Sequence, residues 1–275
     1  MKISEIMVKD KKPYRAYYNG GLIWSKYHER TQAVFDYALS NGYALPDNKI
    51  AYDDYIMKIA SNGLLEKNDL RHIYSGDGDV NFRLINVANP GVYNGTAYGG
   101  SAWTNEGVKG NGINGYIDTN YITAYAEKYK VNDACRCGVV YENPSNFVGL
   151  STIDGITTGD NNVLNAANHR FQSINRSIGD MPDVDNSGVG LKAITVFNDA
   201  CFIVNKNTII YDNPSYNPTT TYPQTQLILT RRLQAYATIT LSMYFAGSSL
   251  TYDETQLERQ FFNEYLIDLG LEPIA

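Results

Sequence analysis

Sulfur and imidazole are scarce in this chain: 275 residues contain three cysteines and three histidines. Cys135 and Cys137 form a C-x-C pair too close in sequence for an ordinary disulfide, and Cys201 leaves the count odd, so reduced structural thiols are expected. His28, His72 and His169 are far apart and none has a metal-binding partner four residues on, so each is expected to be a surface or partly packed residue. Basic runs are also missing. The 23 Lys and Arg are dispersed among 29 acids for a net charge of −6, which argues against a nucleic-acid-binding face. No apolar stretch approaches the roughly 20 residues of a membrane span, and MKISEIMVKD lacks the apolar core of a signal peptide. The expectation is a protein made in a cytosol, without a membrane span and not exported by that route.

What is abundant is tyrosine, 23 residues against nine Phe and two Trp. Tyr suits pleated, half-wet surfaces, and its rigid apolar body with a polar tip also suits recognition. Most of these residues are expected to build sheet.

GNGINGYIDTNY (110–121) satisfies G-x-G-x-x-G through Gly110, Gly112 and Gly115, with Asp133 about twenty residues on. A phosphate loop needs a buried strand before it and a helix after it, so that free N–H groups and the helix dipole face the anion. Neither flank fits. SAWTNEGVK (101–109) is polar, and YIDTNYIT (116–123) is strand chemistry. The glycines are read as a tight turn feeding an antiparallel strand.

Three regions follow along the chain. Residues 1–26 hold short strand candidates, ISEIMV, YRAYY and LIW, with a turn at Asn19-Gly20-Gly21. A meander this small cannot stand alone and must lean on a partner or on the rest of the protein. Residues 27–75 read as a helical hairpin or linker, stopped by Gly42, reopened at Pro46-Asp47 and ended by Asn62-Gly63. From 76 to 275 strand-like runs alternate with Gly, Asn, Asp and Pro clusters, RLINV (83–87) among them, as in an antiparallel sandwich. The end returns to helix: Thr251 and Glu254 make a capping box, Leu257, Phe261, Tyr265 and Leu269 share a face, and Gly270 stops it.

Taken together, GNGINGYIDTNY and MYFAGSSLTYDETQLERQFFNEYLIDLG (243–270) resemble the two ends of a laminin-G-like, concanavalin-like jelly roll. YYNGGLIW (17–24), SNGLLEKNDLRHIYSGDGDVNFRLINVANPG (61–91) and TNEGVKGNGINGYIDTN (104–120) are similar to blocks in virion appendage proteins of phages infecting gut Bacteroidales, including crAss-like phages. The resemblance implies a mostly β fold, an antiparallel jelly-roll sandwich with a C-terminal helix, preceded by a short β anchor and a helical hairpin. It further implies a virion protein assembled in the host cytoplasm, a head- or tail-fibre component anchored to other phage virion proteins through residues 1–26. Ile3, Ile6, Val8, Tyr14, Tyr17, Ile23 and Trp24 would then face the partner. A homotrimer is expected by analogy with fibres.

No catalytic constellation stands out, so no enzyme and no cofactor is expected. Glycosidases of this superfamily need two carboxylates about 5–9 Å apart, usually supplied by E-x-D-x-x-E on one strand, and no such run occurs. Asp253, Glu254 and Glu258 open the last helix, where acids cap and offset the dipole. Asp77, Asp79 and Asn81 begin like a calcium loop, but Phe82 and Ala88 stand where Gly and Glu belong; a polar turn and no metal is the reading. Aromatic faces stack on sugar rings, so Tyr93, Tyr98 and Trp103, together with Tyr211, Tyr216 and Tyr222 around the Pro-rich loop, are candidates for a host surface glycan. Two alternatives to a purely architectural role therefore stay open, glycan adhesion and a glycan-degrading depolymerase.

Overall fold

The computed structural model describes residues 5–9, 12–18, 21–25, 27–142, 152–156, 164–165, 188–218, 221, 225–231 and 235–274. Three strands, β1 (Glu5–Lys9), β2 (Lys12–Tyr18) and β3 (Gly21–Ser25), make an antiparallel meander of their own. Two helices follow, α1 (Glu29–Ser40) and α2 (Lys49–Ser61), then β4 (Asn68–Ile73) and the single turn α3 (Val80–Arg83). The remaining strands are β5 (Thr96–Tyr98), β6 (Ala102–Thr104), β7 (Gly107–Lys109), β8 (Tyr116–Ile122), β9 (Asp133–Glu142), β10 (Thr152–Ile156), β11 (Leu164–Asn165), β12 (Gly190–Phe197), β13 (Ala200–Asn205), β14 (Thr208–Asn213), β15 (Thr225–Ile228), β16 (Thr230–Arg231), β17 (Ala235–Tyr236) and β18 (Thr240–Gly247). Helix α4 (Tyr252–Asp268) closes the order.

The architecture is mostly β, an antiparallel jelly-roll-type sandwich with a C-terminal helix. Its large sheet runs β14-β13-β12-β9-β18-β7-β6, with β4 beside β18, and its small sheet runs β11-β10-β15-β8-β5. Antiparallel sheets often leave one face wet, but this large sheet is covered on both. All eight residues of β18 and all six of β4 are buried. Alternation along the strands sorts the apolar residues into two cores. Cys135, Cys137, Val139, Met243 and Phe245 meet the helices through Phe35, Ile56 and Phe262. Ala134, Val140, Ile194, Tyr244 and Ala246 meet Ile117, Tyr121 and Ile228 of the small sheet.

Local chemistry places the helices. Asn48 caps α2 by accepting from Ala51 N at 3.3 Å. At α4 the box is complete: Thr251 Oγ1 accepts from Glu254 N at 3.2 Å and Glu254 Oε2 from Thr251 N at 2.8 Å. Gly270 then takes φ +75°, where glycine alone avoids a Cβ penalty. The glycine-rich stretch does lead into β8. Asn111 Oδ1 accepts the N–H groups of Ile113, Asn114 and Gly115 at 2.9, 3.0 and 2.8 Å, so the donors that a phosphate would need are occupied. Gly110 is required for another reason, since a Cβ there would sit 2.1 Å from the Ala237 carbonyl oxygen.

Five expectations are corrected. The β region was expected from residue 76, yet β4 lies before it and pairs with the central strand β18. RLINV (83–87) is not a strand: Asp79 Oδ1 caps Phe82 N at 2.9 Å to start α3, and the carboxamide of buried Asn86 satisfies the backbone that a ladder would have served. His72, expected at the surface or partly packed, is fully buried, and so are Tyr216, expected as an exposed loop ring, and Glu258, expected to offset the helix dipole. Glu258 instead forms an ion pair with Arg71 across the space between α4 and the large sheet, both side chains wholly buried. The Arg71 guanidinium also donates to Tyr55 Oη and Asn68 Oδ1, each at 2.6 Å, and lies 4.3 Å from the centre of the Phe245 ring. Burial pulls its pKa down, but the Glu258 carboxylate more than offsets this and holds it above the ordinary value.

The three thiols are free and buried, as expected. Burial pushes Cys135 up to about 12, a poor nucleophile at neutral pH. Among the described residues no helix is long and apolar enough to cross a membrane.

Candidate functional site

The sequence candidates do not converge. Tyr216 belongs to the core between the sheets. Trp103 is half-buried, edge-on to Tyr74 at 6.0 Å with the Arg83 guanidinium near its ring, so packing already uses it. Tyr98 is exposed and stacks on its cross-strand neighbour Tyr116 at 4.9 Å and 15°. Tyr211 is half-buried on the edge strand β14. Tyr222 and Ile3 lie outside the described residues, and of the anchor set Ile6, Val8, Tyr14, Tyr17, Ile23 and Trp24 only the strand backbone is described. Asp77 and Asp79 serve the turn they were read as. Asp77 Oδ2 accepts from Asp47 N at 3.1 Å and Asp79 Oδ2 from Ala44 N at 2.7 Å, tying the loop between α1 and α2. Among the described residues no group of three or more His, Cys, Asp or Glu is arranged to hold a metal.

Tyr93 is different. It lines a groove of about 510 Å³ with Arg30, Leu65, Glu66, Asn68, Asp69, Ala88, Asn89, Val92, Tyr125, Glu127 and Lys128. Two rings, two carboxamides and a small apolar strip therefore share one cleft, and Tyr125 is 72% exposed.

Its walls are held from below. At the start of β4, Asn68 pairs with Gly247 and Leu70 with Ala246, so Asp69 is the extra residue of a bulge and turns out of the ladder. Its carboxylate accepts from Glu127 N at 3.1 Å, Lys128 N at 2.9 Å and Tyr129 N at 2.8 Å, and from Tyr121 Oη at 3.2 Å. One buried acid thus fixes the loop that carries Tyr125. The opposite wall is the 86–95 loop. Asn94 Oδ1 accepts from Asn86 N at 2.9 Å, and Asn86 Nδ2 donates to Asp69 O at 2.7 Å and Val92 O at 2.9 Å. Tyr93 takes φ 60°, a left-handed conformation costing a non-glycine residue about 1–2 kcal/mol. Its ring packs edge-on to Tyr121 at 5.1 Å.

His72 holds Tyr93 in place. Burial lowers its pKa from 6.5 to about 4, and burial also pushes the Tyr74 hydroxyl well up, so a neutral imidazole meets a protonated phenol. Tyr74 Oη then donates to Nδ1, and Nε2–H donates to the Tyr93 carbonyl, both at 3.1 Å. Between pH 6.5 and about 4 the unfolded chain binds a proton that the folded chain does not. Stability is therefore complete above pH 6.5 and falls on acidification by about 1.4 kcal/mol per pH unit, roughly 3 kcal/mol in all. Urea midpoints measured across that window should show this slope, and His72→Phe should flatten it.

Three carboxylates line the groove and each is engaged. Glu66 faces Arg30 at 3.6 Å, Glu127 faces Lys128 at 3.1 Å, and Asp69 is consumed by the N–H groups above.

Sequence reading found Tyr93 and missed Asn68, Asp69, Asn89 and Tyr125. No local pattern marks them, because the groove joins segments near residues 30, 65–69, 88–93 and 125–128 that only the bulge and the turn at α3 bring together.

No family model matches the chain, and no curated protein matches it in sequence. Among solved structures, Trypanosoma rangeli sialidase in complex with the inhibitor DANA is similar over 95% of this chain and 44% of its own, with a TM-score of 0.51 and 12% identity. The chain thus spans less than half the length of that protein, and the similarity is one of fold. Domain 4 of AbnA, a GH43 extracellular arabinanase from Geobacillus stearothermophilus, in complex with arabinotriose, is similar over 70% of this chain and 98% of its own, at a TM-score of 0.44 and 12% identity. The botulinum neurotoxin type G receptor binding domain reaches a TM-score of 0.35 at 12% identity, over 71% of this chain and 51% of its own.

Proposed function

We propose that this chain is a non-enzymatic phage virion component, a head- or tail-fibre part attached through its N-terminal β unit, whose sandwich holds a glycan of the host surface in the Tyr93–Tyr125 groove. The observation that carries the reading is the groove's lining: two tyrosine rings to lie against sugar faces, exposed Asn89 to bond hydroxyls, and carboxylates that face partners of their own. Hydrolysis would need one carboxyl free to protonate the leaving oxygen and a second to act opposite it, whereas binding needs neither. The separate three-stranded meander, and the resemblance of residues 17–24, 61–91 and 104–120 to blocks of phage appendage proteins, support the attachment half.

Host capsular and mucin-type polysaccharides, arrayed and probed with the purified protein, test the reading. At least one should bind, and Tyr125→Ala or Tyr93→Ala should each weaken binding about tenfold, the effect of losing one aromatic contact. Absence of binding, or binding indifferent to both changes, overturns the glycan role. Release of reducing ends that a single Asp or Glu substitution abolishes overturns the non-enzymatic role. Imaging of the phage particle at a resolution that traces residues 5–25 tests the attachment role.

A further inference from the structure

The charged side chains of the groove are unevenly matched. Along its described lining stand two cations, Arg30 and Lys128, and three carboxylates, Glu66, Asp69 and Glu127. Each cation already faces a carboxylate, Arg30 with Glu66 at 3.6 Å and Lys128 with Glu127 at 3.1 Å. Asp69 is the acid left over. Its oxygens are taken by three backbone N–H groups and the Tyr121 hydroxyl, which orient the carboxylate but carry no charge to cancel its own. The described lining therefore keeps one net negative charge. Its field reaches the wall of the cleft: burial first, and then the Asp69 charge, hold the Tyr93 hydroxyl above its ordinary value.

That remainder decides which sugars fit. An acidic sugar brings a carboxylate or a sulfate, which can pair with Arg30 or Lys128 only by displacing Glu66 or Glu127. One ion pair is then exchanged for another, while the displaced carboxylate stays beside the newcomer in a cleft that already holds Asp69. An uncharged sugar meets no such penalty. It lies against the exposed Tyr125 ring and bonds exposed Asn89 with both ion pairs intact. We infer that the groove discriminates by charge, taking glycans that lack carboxylate and sulfate groups and turning away sialylated, uronate-bearing or sulfated ones. This rests on the glycan-binding reading above and adds the sugar class.

An array that prints each neutral oligosaccharide beside its sialylated, sulfated or C6-oxidised form isolates the charge, and every pair with a bound member is then titrated in solution at low and at high salt. At low salt the neutral form should bind about fivefold more tightly or better, and high salt should close the gap by screening. Glu66→Gln combined with Glu127→Gln frees Arg30 and Lys128, leaves Asp69 as the one carboxylate of the described lining, and should reverse the preference while neutral ligands keep their affinity. An acidic form that binds the unaltered protein as tightly as its neutral mate, or a neutral preference that survives both high salt and the double substitution, overturns the charge inference while glycan binding stands. Silence of every pair removes both readings. Where the double variant does not fold, the salt series on the unaltered protein decides.

Discussion

Glu258→Ala lowers the thermal unfolding midpoint by roughly 10 °C. The substitution leaves the Arg71 guanidinium wholly buried between α4 and the large sheet without its carboxylate, and breaking one side of such a pair costs about 3–5 kcal/mol. In a domain of this size each kcal/mol moves the midpoint by about 2–4 °C. Tyr55 and Asn68 still accept from Arg71, but neither carries charge. Replacing both partners, Arg71→Met with Glu258→Leu, should cost less than Glu258→Ala alone, because no unpaired charge is then buried. Differential scanning calorimetry of the two variants checks the order. A double variant less stable than the single one would mean that the Arg71 contacts with Phe245 and Asn68 contribute more to stability than the unpaired charge costs.

Asp69→Ala should abolish the glycan binding proposed for the groove while leaving the sandwich folded. It strips the acceptor from three backbone N–H groups and the Tyr121 hydroxyl, and each polar group left buried without a partner costs about 1–3 kcal/mol. The cheapest escape is to let residues 126–129 move into water, which carries Tyr125 off the cleft. Amide hydrogen exchange at Glu127, Lys128 and Tyr129 should accelerate by two or more orders of magnitude, with little change in β9 or β18. Asp69→Asn keeps one acceptor oxygen and should fall between. Unchanged exchange in that loop would show that Asp69 is not its fastener.

Much of the fold is legible in the residues. The capping box at Thr251 and Glu254, the stop at Gly270 and the glycine turn into YIDTNYIT are local events, and local chemistry announces them. NDLRHI reads poorly as a strand because it carries four polar or charged residues in six, yet β4 is buried throughout. Its polar groups find partners far along the chain, Asp69 in the 126–129 loop, His72 at Tyr93 and Arg71 at Glu258, 187 residues away. Glu258 was misread for the same reason: an acid in the second turn of a helix looks like an answer to the dipole until the sheet beneath supplies an arginine. The groove was half legible. An aromatic-rich loop marked Tyr93, but Asp69 derives its role from a bulge, which alternation patterns do not reveal.

Strand β18 lies between β9 on one side and β4 and β7 on the other, and it comes after both in the chain. A nascent polypeptide that has not yet presented residues 240–247 therefore holds β4 and β9 each with an edge that lacks its neighbour. Their open edges are adhesive, and a chaperone that shields β4 and β9 until the missing strand arrives would be expected to raise the yield of soluble protein more than any change to the surface.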